Sequence, residues 1–448
     1  MAYQSSIKQK AIRRLLQLDQ PVKVLTATEA EAERDRNFSW NLFFNAFDVI
    51  FFMGGIGLLS ATTIIPLFIS KLTDSVVPLA IVAMLAQGGF FLPQLFVANF
   101  TERLDYKKPM VVNLGFLTER IPALLLFLTA LAVWWSPFLA LISFLLFYTW
   151  FNLGGGVIAP AWQDMIARCF PVTRRGRFFG STMFIGTLLA VVGTSFAGTI
   201  LTQVAFPVNF AYIFGAAGLS IMISWIFVAQ TREPIEAANV PTVSTRQYFA
   251  ALPNLLRSDI NFRNFLIVRF IMALSEMGSG FLTVAAIQTW AISDSLVATF
   301  TTVTLIGQTT GSLLLGFISD RYGHRLSLEI VSLSGVLAFA LAWIAPTPSW
   351  YIAVFGLLGF YTGGRIVSGL LVVLEFCVAE KRPTYIGITS TLAGVGSMIA
   401  PLIGAGFVLL GYSWVFVGSL VTSLISLLLL RYWVKEPRLI ETPSYRQG

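Results

Sequence analysis

Charge is the scarcest thing in this chain. Only 12% of its 448 residues are Asp, Glu, Lys or Arg, against about 25% in an average soluble domain. A chain so long and so poor in charge is hard to keep in water. Histidine occurs once, at His324, and cysteine twice, at Cys169 and Cys377. So few ligands exclude a zinc or haem centre of the usual kind. Both cysteines fall at the end of an apolar segment on the side read below as cytoplasmic, where a disulfide framework is not expected and small helix-packing residues are. No Gly-x-x-x-x-Gly-Lys-Ser/Thr loop is present, which excludes ATP hydrolysis by this chain. No nucleophile, base and orienting acid are spaced as a catalytic set, and no selectivity-filter sequence marks a channel. Neither an enzyme nor a resident cofactor or metal is expected.

What is abundant is apolar surface. Hydrophobic residues make up 56% of the chain, with 39 Phe and 36 Gly, and the mean hydropathy is +0.77. Stretches of about 20 apolar residues are long enough to span a bilayer as helices. Twelve such spans are read near 39–69, 76–99, 109–134, 137–167, 177–203, 209–230, 263–290, 295–318, 326–346, 349–378, 384–411 and 413–433. The expected fold is therefore an all-α integral membrane protein. Gly154-Gly155-Gly156 or Pro160 is expected to bend the long fourth span. No signal peptide precedes the first span, so no cleavage is expected.

The net charge of +8 points to lipid rather than nucleic acid, because the basic residues sit in short loops between spans. Nearly all fall on one side: Lys8 to Arg36 before the first span, then Arg103, Lys107 and Lys108, the cluster Arg168 to Arg177, Arg232 to Arg263, Arg321 and Arg325, Lys381 and Arg382, and Arg431 to Arg446. Lys71 stands alone on the other side. By the positive-inside bias both termini are expected in the cytoplasm, with the chain in the cell membrane. Residues 7–18 mix Ile, Leu and Ala with Lys and Arg, the pattern of a basic amphipathic helix on an anionic surface or of a mobile cytosolic tail.

The only long polar break, 231–262, divides the spans into two groups of six. The expected divisions are a cytoplasmic segment 1–37, a first bundle 38–230, a cytoplasmic loop 231–262, a second bundle 263–434 and a tail 435–448. The halves echo one another. Asn37-Phe38 and Met53-Gly54 match Asn261-Phe262 and Met277-Gly278 at one offset, Asp74-Ser75 matches Asp294-Ser295, Glu102-Arg103 matches Asp320-Arg321, and Gly155, Gly156 and Cys169 match Gly363, Gly364 and Cys377. Two pseudo-symmetric six-helix bundles are the reading, an arrangement that permits alternating access.

Gly316-Phe-Ile-Ser-Asp320-Arg321-Tyr-Gly323-His324-Arg325 resembles the loop signature G-x-x-x-D-R-x-G-R-R of the major facilitator superfamily, with His324 at one basic position. Gly316 is expected to let helices approach, Gly323 to allow a sharp turn, and Arg321 and Arg325 to hold the loop at the lipid head groups. The first-half copy is degenerate: it keeps Glu102, Arg103, Lys107 and Lys108 but lacks both glycines. Arg365-Ile-Val-Ser-Gly369 and Gly396-Ser-Met-Ile-Ala400-Pro401-Leu-Ile-Gly404 are similar to two further patterns of that superfamily, each displaced by half the molecule. The resemblance implies two bundles around a central cavity lined mainly by the first, fourth, seventh and tenth helices.

Charges within spans are costly and mark function or pairing. Asp48 and Glu276 are the candidates for binding a coupling proton, and Glu276 is expected to pair with Arg365 or, alternatively, with Arg269. Asn41, Asn45 and Asp48 share one helical face, which should meet a cavity or a partner helix. Asn45, Gln87, Trp150, Asn152, Gln308, Tyr361 and Arg365 are the candidates for lining a substrate cavity, with Trp162 beside them. Glu119 and Arg120 are adjacent in a helix, so each is expected to need its own partner in a structural network. Asp164 and Glu375 sit near span ends, where salt bridges are expected. The sequence thus points to a secondary active transporter moving a small organic molecule by alternating access, coupled to protons and expected to be monomeric. An uncoupled facilitator, a lipid-moving protein of the same fold and a non-transporting sensor or assembly partner are the other readings.

Overall fold

The computed structural model describes residues 13–19, 22–236, 256–376 and 382–437. Cys377 and residues 7–12 of the expected amphipathic segment 7–18 lie outside them. Among the described residues, eleven helices are long and apolar enough to cross a membrane. The expected second span is helical too, but it changes type on the way. It runs from Val77–Met84 through a π segment, Leu85–Gly89, into Phe90–Glu102. The helices are α1 (Phe38–Leu58), α2 (77–102), α3 (Met110–Trp134), α4 (Pro137–Cys169), α5 (Val172–Gln203), α6 (Val208–Val228), α7 (Ile260–Trp290), α8 (Asp294–Tyr322), α9 (His324–Ile344), α10 (Trp350–Glu375), α11 (Arg382–Val408) and α12 (Tyr412–Trp433).

Local chemistry sets the ends. Ser136 accepts from the Leu139 amide and is followed by Pro137, which starts α4 without wasting a donor. Asp259 caps α7 and Ser293 caps α8 in the same way. Gly323 turns the chain between α8 and α9 at φ 93°, where a side chain would be strained. That bears out the turn expected of this glycine. A Cβ there would also collide with Glu436.

Three spans are less regular than their hydropathy implied. The first ends at Leu58 and resumes as a short helix, Ile64–Ser70. The third opens with two π segments, Met110–Leu114 and Phe116–Arg120. The seventh passes through a 3-10 segment, Ser275–Phe281. The fourth, expected to bend, runs as one 33-residue helix with Pro160 inside it.

The chain packs into two compact units. Unit one takes Met1–Leu59, Leu92–Gly193 and Ala205–Pro241; unit two takes Ser60–Phe91, Thr194–Val204 and Thr242–Gly448. Stretches 60–91 and 194–204 therefore pack with the second half of the sequence. Hydroxyls make much of that contact: Thr63 with Thr301 (2.5 Å), Thr194 with Thr302 (3.0 Å), and Thr283 donating to the Thr62 carbonyl (2.6 Å). Lys71 joins Asp294 at 2.8 Å.

Each unit has its own apolar core. Unit one buries Val49, Met110, Ile158, Met165, Phe170 and Phe178. Unit two buries Phe262, Phe265, Leu315, Val331, Tyr361 and Leu430. In lipid, helices gain little from excluding water from one another, so close backbone approach matters more. In unit two α8 and α10 touch backbone to backbone: a Cβ on Gly307, Gly311, Gly359 or Gly363 would run into a main-chain carbonyl of the other helix. Gly316, read from sequence as the close-approach glycine, is not one. A Cβ there would meet only Val367, at 4.0 Å.

Candidate functional site

The polar stripe of α1 faces a partner helix. Asn41 and Asn45 are fully buried and Asp48 nearly so, and all three bond to the stretch 224–232. Asn41 donates to the Arg232 carbonyl and accepts from the Arg232 amide, both at 2.9 Å. Asn45 donates to the Asn41 carbonyl and accepts from the Thr231 hydroxyl. Its amide is thus committed to unit one's own packing. Asp48 accepts from Ser224 Oγ at 2.6 Å and from Trp162 Nε1 at 3.0 Å.

Arg120 and Glu119 correct an expectation. They pair with each other rather than with separate partners. The π segment that contains them is wider than an α-helix, which changes the angle between neighbouring side chains. The Arg120 guanidinium also lies 5.6 Å from the centre of the Phe52 ring. Both residues are buried.

In unit two, Glu276 stands in the 3-10 segment of α7, and its Oε1 lies 3.0 Å from Arg365 Nε on α10. This is an ion pair without the alignment of a hydrogen bond. Of the two arginines weighed as partners, Glu276 takes Arg365. Tyr361, one turn before Arg365, donates to the Met272 carbonyl at 3.0 Å and lies near Ser275 Oγ. Arg269 packs against Gly369, the glycine of the Arg365-x-x-x-Gly pattern. A Cβ at that position would stand 2.8 Å from Nη1 and 3.0 Å from Nη2.

The remaining candidates are scattered. Asn152 donates to the Tyr148 carbonyl of its own helix. Trp150 is exposed and Gln308 partly buried. The side chains of Gln87, Glu102 and Asp320 lie outside the described residues, and Arg103 is exposed. A groove of about 390 Å³ is lined by Thr194, Ser195, Thr199, Ser295, Thr299 and Thr302. It contains none of the candidates and no charge. The Glu276–Arg365–Arg269 cluster therefore has the better claim to chemistry.

The basic end of each unit holds a latch that the sequence reading missed. In unit one, buried Glu233 accepts from the amides of Lys107 (3.0 Å) and Lys108 (2.7 Å) and from Arg168 Nη1 at 3.4 Å. Lys107 Nζ lies 3.2 Å from Asp164, the span-end carboxylate expected to form a salt bridge, and bonds the Thr101 carbonyl. Burial pushes the Glu233 carboxyl up to about 7, against the opposing pull of those amides and cations. Burial likewise lowers Lys107 and Lys108.

In unit two, Glu436 accepts from the Arg325 amide at 3.1 Å, and Asn261 exchanges two hydrogen bonds with the backbone of Lys435. Asn41 does the same with Arg232. The available signal was short: Arg232-Glu233-Pro234 after the sixth span recurs as Lys435-Glu436-Pro437 after the twelfth. Arg325, expected at lipid head groups, instead binds Glu329 (3.0 Å) and the Arg431 carbonyl (2.7 Å). Arg321 is exposed, beside the Tyr322 ring.

Comparison with known proteins follows the same lines. Residues 265–447 match the family model of the Major Facilitator Superfamily. A bovine (Bos taurus) synaptic vesicle 2-related protein is 30% identical over 149 residues, 33% of this chain and 27% of that protein. The niacin transporter NiaP of Acinetobacter baylyi is 25% identical over 134 residues, 30% of each. The aligned stretch thus spans about a third or less of these relatives. Among solved structures, the nucleoside transporter NupG superposes with a TM-score of 0.62 at 14% identity, over 88% of this chain and 99% of that one. The second half thus matches the Major Facilitator Superfamily model, most of the length shares the fold of NupG, and the chain is a multi-pass membrane protein.

Proposed function

We propose that the protein is a secondary active transporter that carries a small organic molecule across the cell membrane, with protons as the coupling ion. The observation that carries the coupling is the Glu276–Arg365 pair. An acid inside the membrane sits where α7 leaves α-helical geometry, and it is held by an arginine of another helix. Helices broken at mid-membrane are where transporters of this general kind bind ions and substrates, and a 3-10 stretch within a helix often marks a hinge. Protonating Glu276 would release Arg365 and loosen α7 from α10, so proton binding would bias the conformation. Asp48 is the second candidate acid, held by Trp162 and Ser224. The basic bias of the loops supports an orientation with both termini in the cytoplasm. Relatives named for niacin and nucleosides support a small organic substrate.

The test is proton flux into liposomes containing the purified protein, across a substrate panel. Substrate-dependent acidification that Glu276→Gln abolishes is the expected result. Substrate movement with no proton movement would sink the coupling and leave a facilitator.

A further inference from the structure

The charges that unit two carries into the membrane do not cancel. Its spans hold Arg269, Glu276 and Arg365 well inside the helix ends. Arg269 lies nine residues into α7, about 14 Å along the helix axis. Glu276 is engaged by Arg365. Arg269 has no hydrogen bond or ion pair to any described residue, and its Nε is sealed from solvent. The sum is one positive charge in excess, with Arg269 repelled by Arg365 and attracted by the Glu276 that Arg365 already holds.

A half-buried guanidinium within a span and without a partner is expensive, and it persists in lipid where it serves a ligand or a pathway. Its surroundings are shaped to hold it. Gly369 is the residue that leaves room for the Arg269 fork, since any side chain there would press on both terminal nitrogens. The fork presents parallel donors matched to a carboxylate.

Resting on the transporter reading above, we infer that Arg269 binds the charged group of the substrate, and that the substrate is a compact organic monoanion, a carboxylate. One negative charge brings the cluster to neutrality. A phosphate monoester carries about −1.5 to −2 and overshoots. A cation would meet two guanidiniums and one carboxylate, and a neutral sugar would leave Arg269 uncompensated.

The experiment is thermal unfolding of the full chain in phosphatidylcholine nanodiscs against matched sets: benzoate, phenylacetate, butyrate and lactate, each with its amide and its amine. At least one carboxylate raises the midpoint, while its amide and amine do not. Arg269→Gln weakens that carboxylate by about tenfold or more, as expected for losing a charge-assisted pair. Arg269→Lys retains part of the binding because it keeps the charge and loses the fork. Unliganded Arg269→Gln melts no lower than the parent, because it removes an uncompensated charge; a merely structural arginine would lower it. Gly369→Ala weakens the carboxylate by displacing the Arg269 fork, and serves if Arg269→Gln does not fold.

A panel in which no carboxylate shifts the midpoint, or only amides or amines do, overturns the inference. Competition of the carboxylate shift by phosphatidylglycerol in the nanodisc would reassign the monoanion to a lipid and overturn it equally. Flux separates the two readings. A cation or sugar moved equally by parent and Arg269→Gln leaves the transporter standing and removes the anion. A carboxylate that binds through Arg269 yet never crosses the bilayer does the reverse.

Discussion

The two units share their ends and differ in their middles. At the basic end of each, an asparagine near the start of a span clasps the backbone of a basic residue, and the glutamate that follows accepts from backbone amides of the turn four helices earlier, two in unit one and one in unit two. In mid-membrane the charges are opposite. Unit one encloses Asp48, Glu119 and Arg120, one negative in excess, with Asp48 held by two neutral donors. Unit two encloses Arg269, Glu276 and Arg365, one positive in excess. The ends therefore share one arrangement, and the interiors are where the two units differ.

The largest expected effect tests that division directly. Glu276→Gln is expected to abolish uphill accumulation of substrate in proteoliposomes and to tighten binding of a monoanion, because it frees Arg365. Asp48→Asn in unit one should leave anion binding unchanged. Equal loss of anion binding in both variants would erase the contrast between the interiors.

Next comes the latch of unit one. Glu233→Ala strips acceptors from two backbone amides and from Arg168, and is expected to cost about 3 kcal/mol, read as a lower melting temperature. Its pH dependence follows from the raised carboxyl, at about 7 against an ordinary value of 4.5. The folded state binds a proton more tightly than the unfolded chain. Stability is therefore greatest below the unfolded value, falls as pH rises from about 4.5 to 7, and is flat above; the whole change is about 3 kcal/mol. Subtracting the melting profile of Glu233→Gln should isolate that slope, and a difference independent of pH would refute it.

The paired asparagines give a smaller and finer comparison. Asn41 is fully buried and Asn261 only partly so. Asn41→Ala leaves a buried amide and carbonyl without partners, at about 2 kcal/mol, whereas water replaces the partner in Asn261→Ala, at about 0.5 kcal/mol. Equal costs would show that burial does not distinguish the two latches. Lys71→Ala, which breaks the pair with Asp294, should change stability least, by about 1 kcal/mol or less, because both groups keep contact with solvent.

The spans were legible because a helix must bring about 20 apolar residues to cross lipid, and such runs cannot be hidden in a sequence. Asp48 and Glu276 were visible for the converse reason, as charges where charge is costly. Other features were not legible. The π segments at Leu85–Gly89 and in α3 and the 3-10 stretch of α7 leave hydropathy unchanged, since a few residues of altered hydrogen bonding do not alter composition. The Glu119–Arg120 pair depends on that altered geometry, so the rule for α-helical neighbours failed there. Glu233 looked like one more acid in a polar loop. Its role rests on amides 125 and 126 residues away.

The sequence by itself determined that this chain lies in a membrane, which side of it is basic, that its two halves echo each other and where its few interior charges stand. All of that follows from composition and from order along the chain. Tertiary structure alone decided which charges meet. Glu276 takes Arg365 rather than Arg269 because α7 and α10 bring those two groups to 3.0 Å. Arg269 is left against Gly369 because a glycine is the side of α10 it meets. Pairing is a matter of distance in space, and with twelve spans the order of residues leaves many pairings open that only packing can choose among.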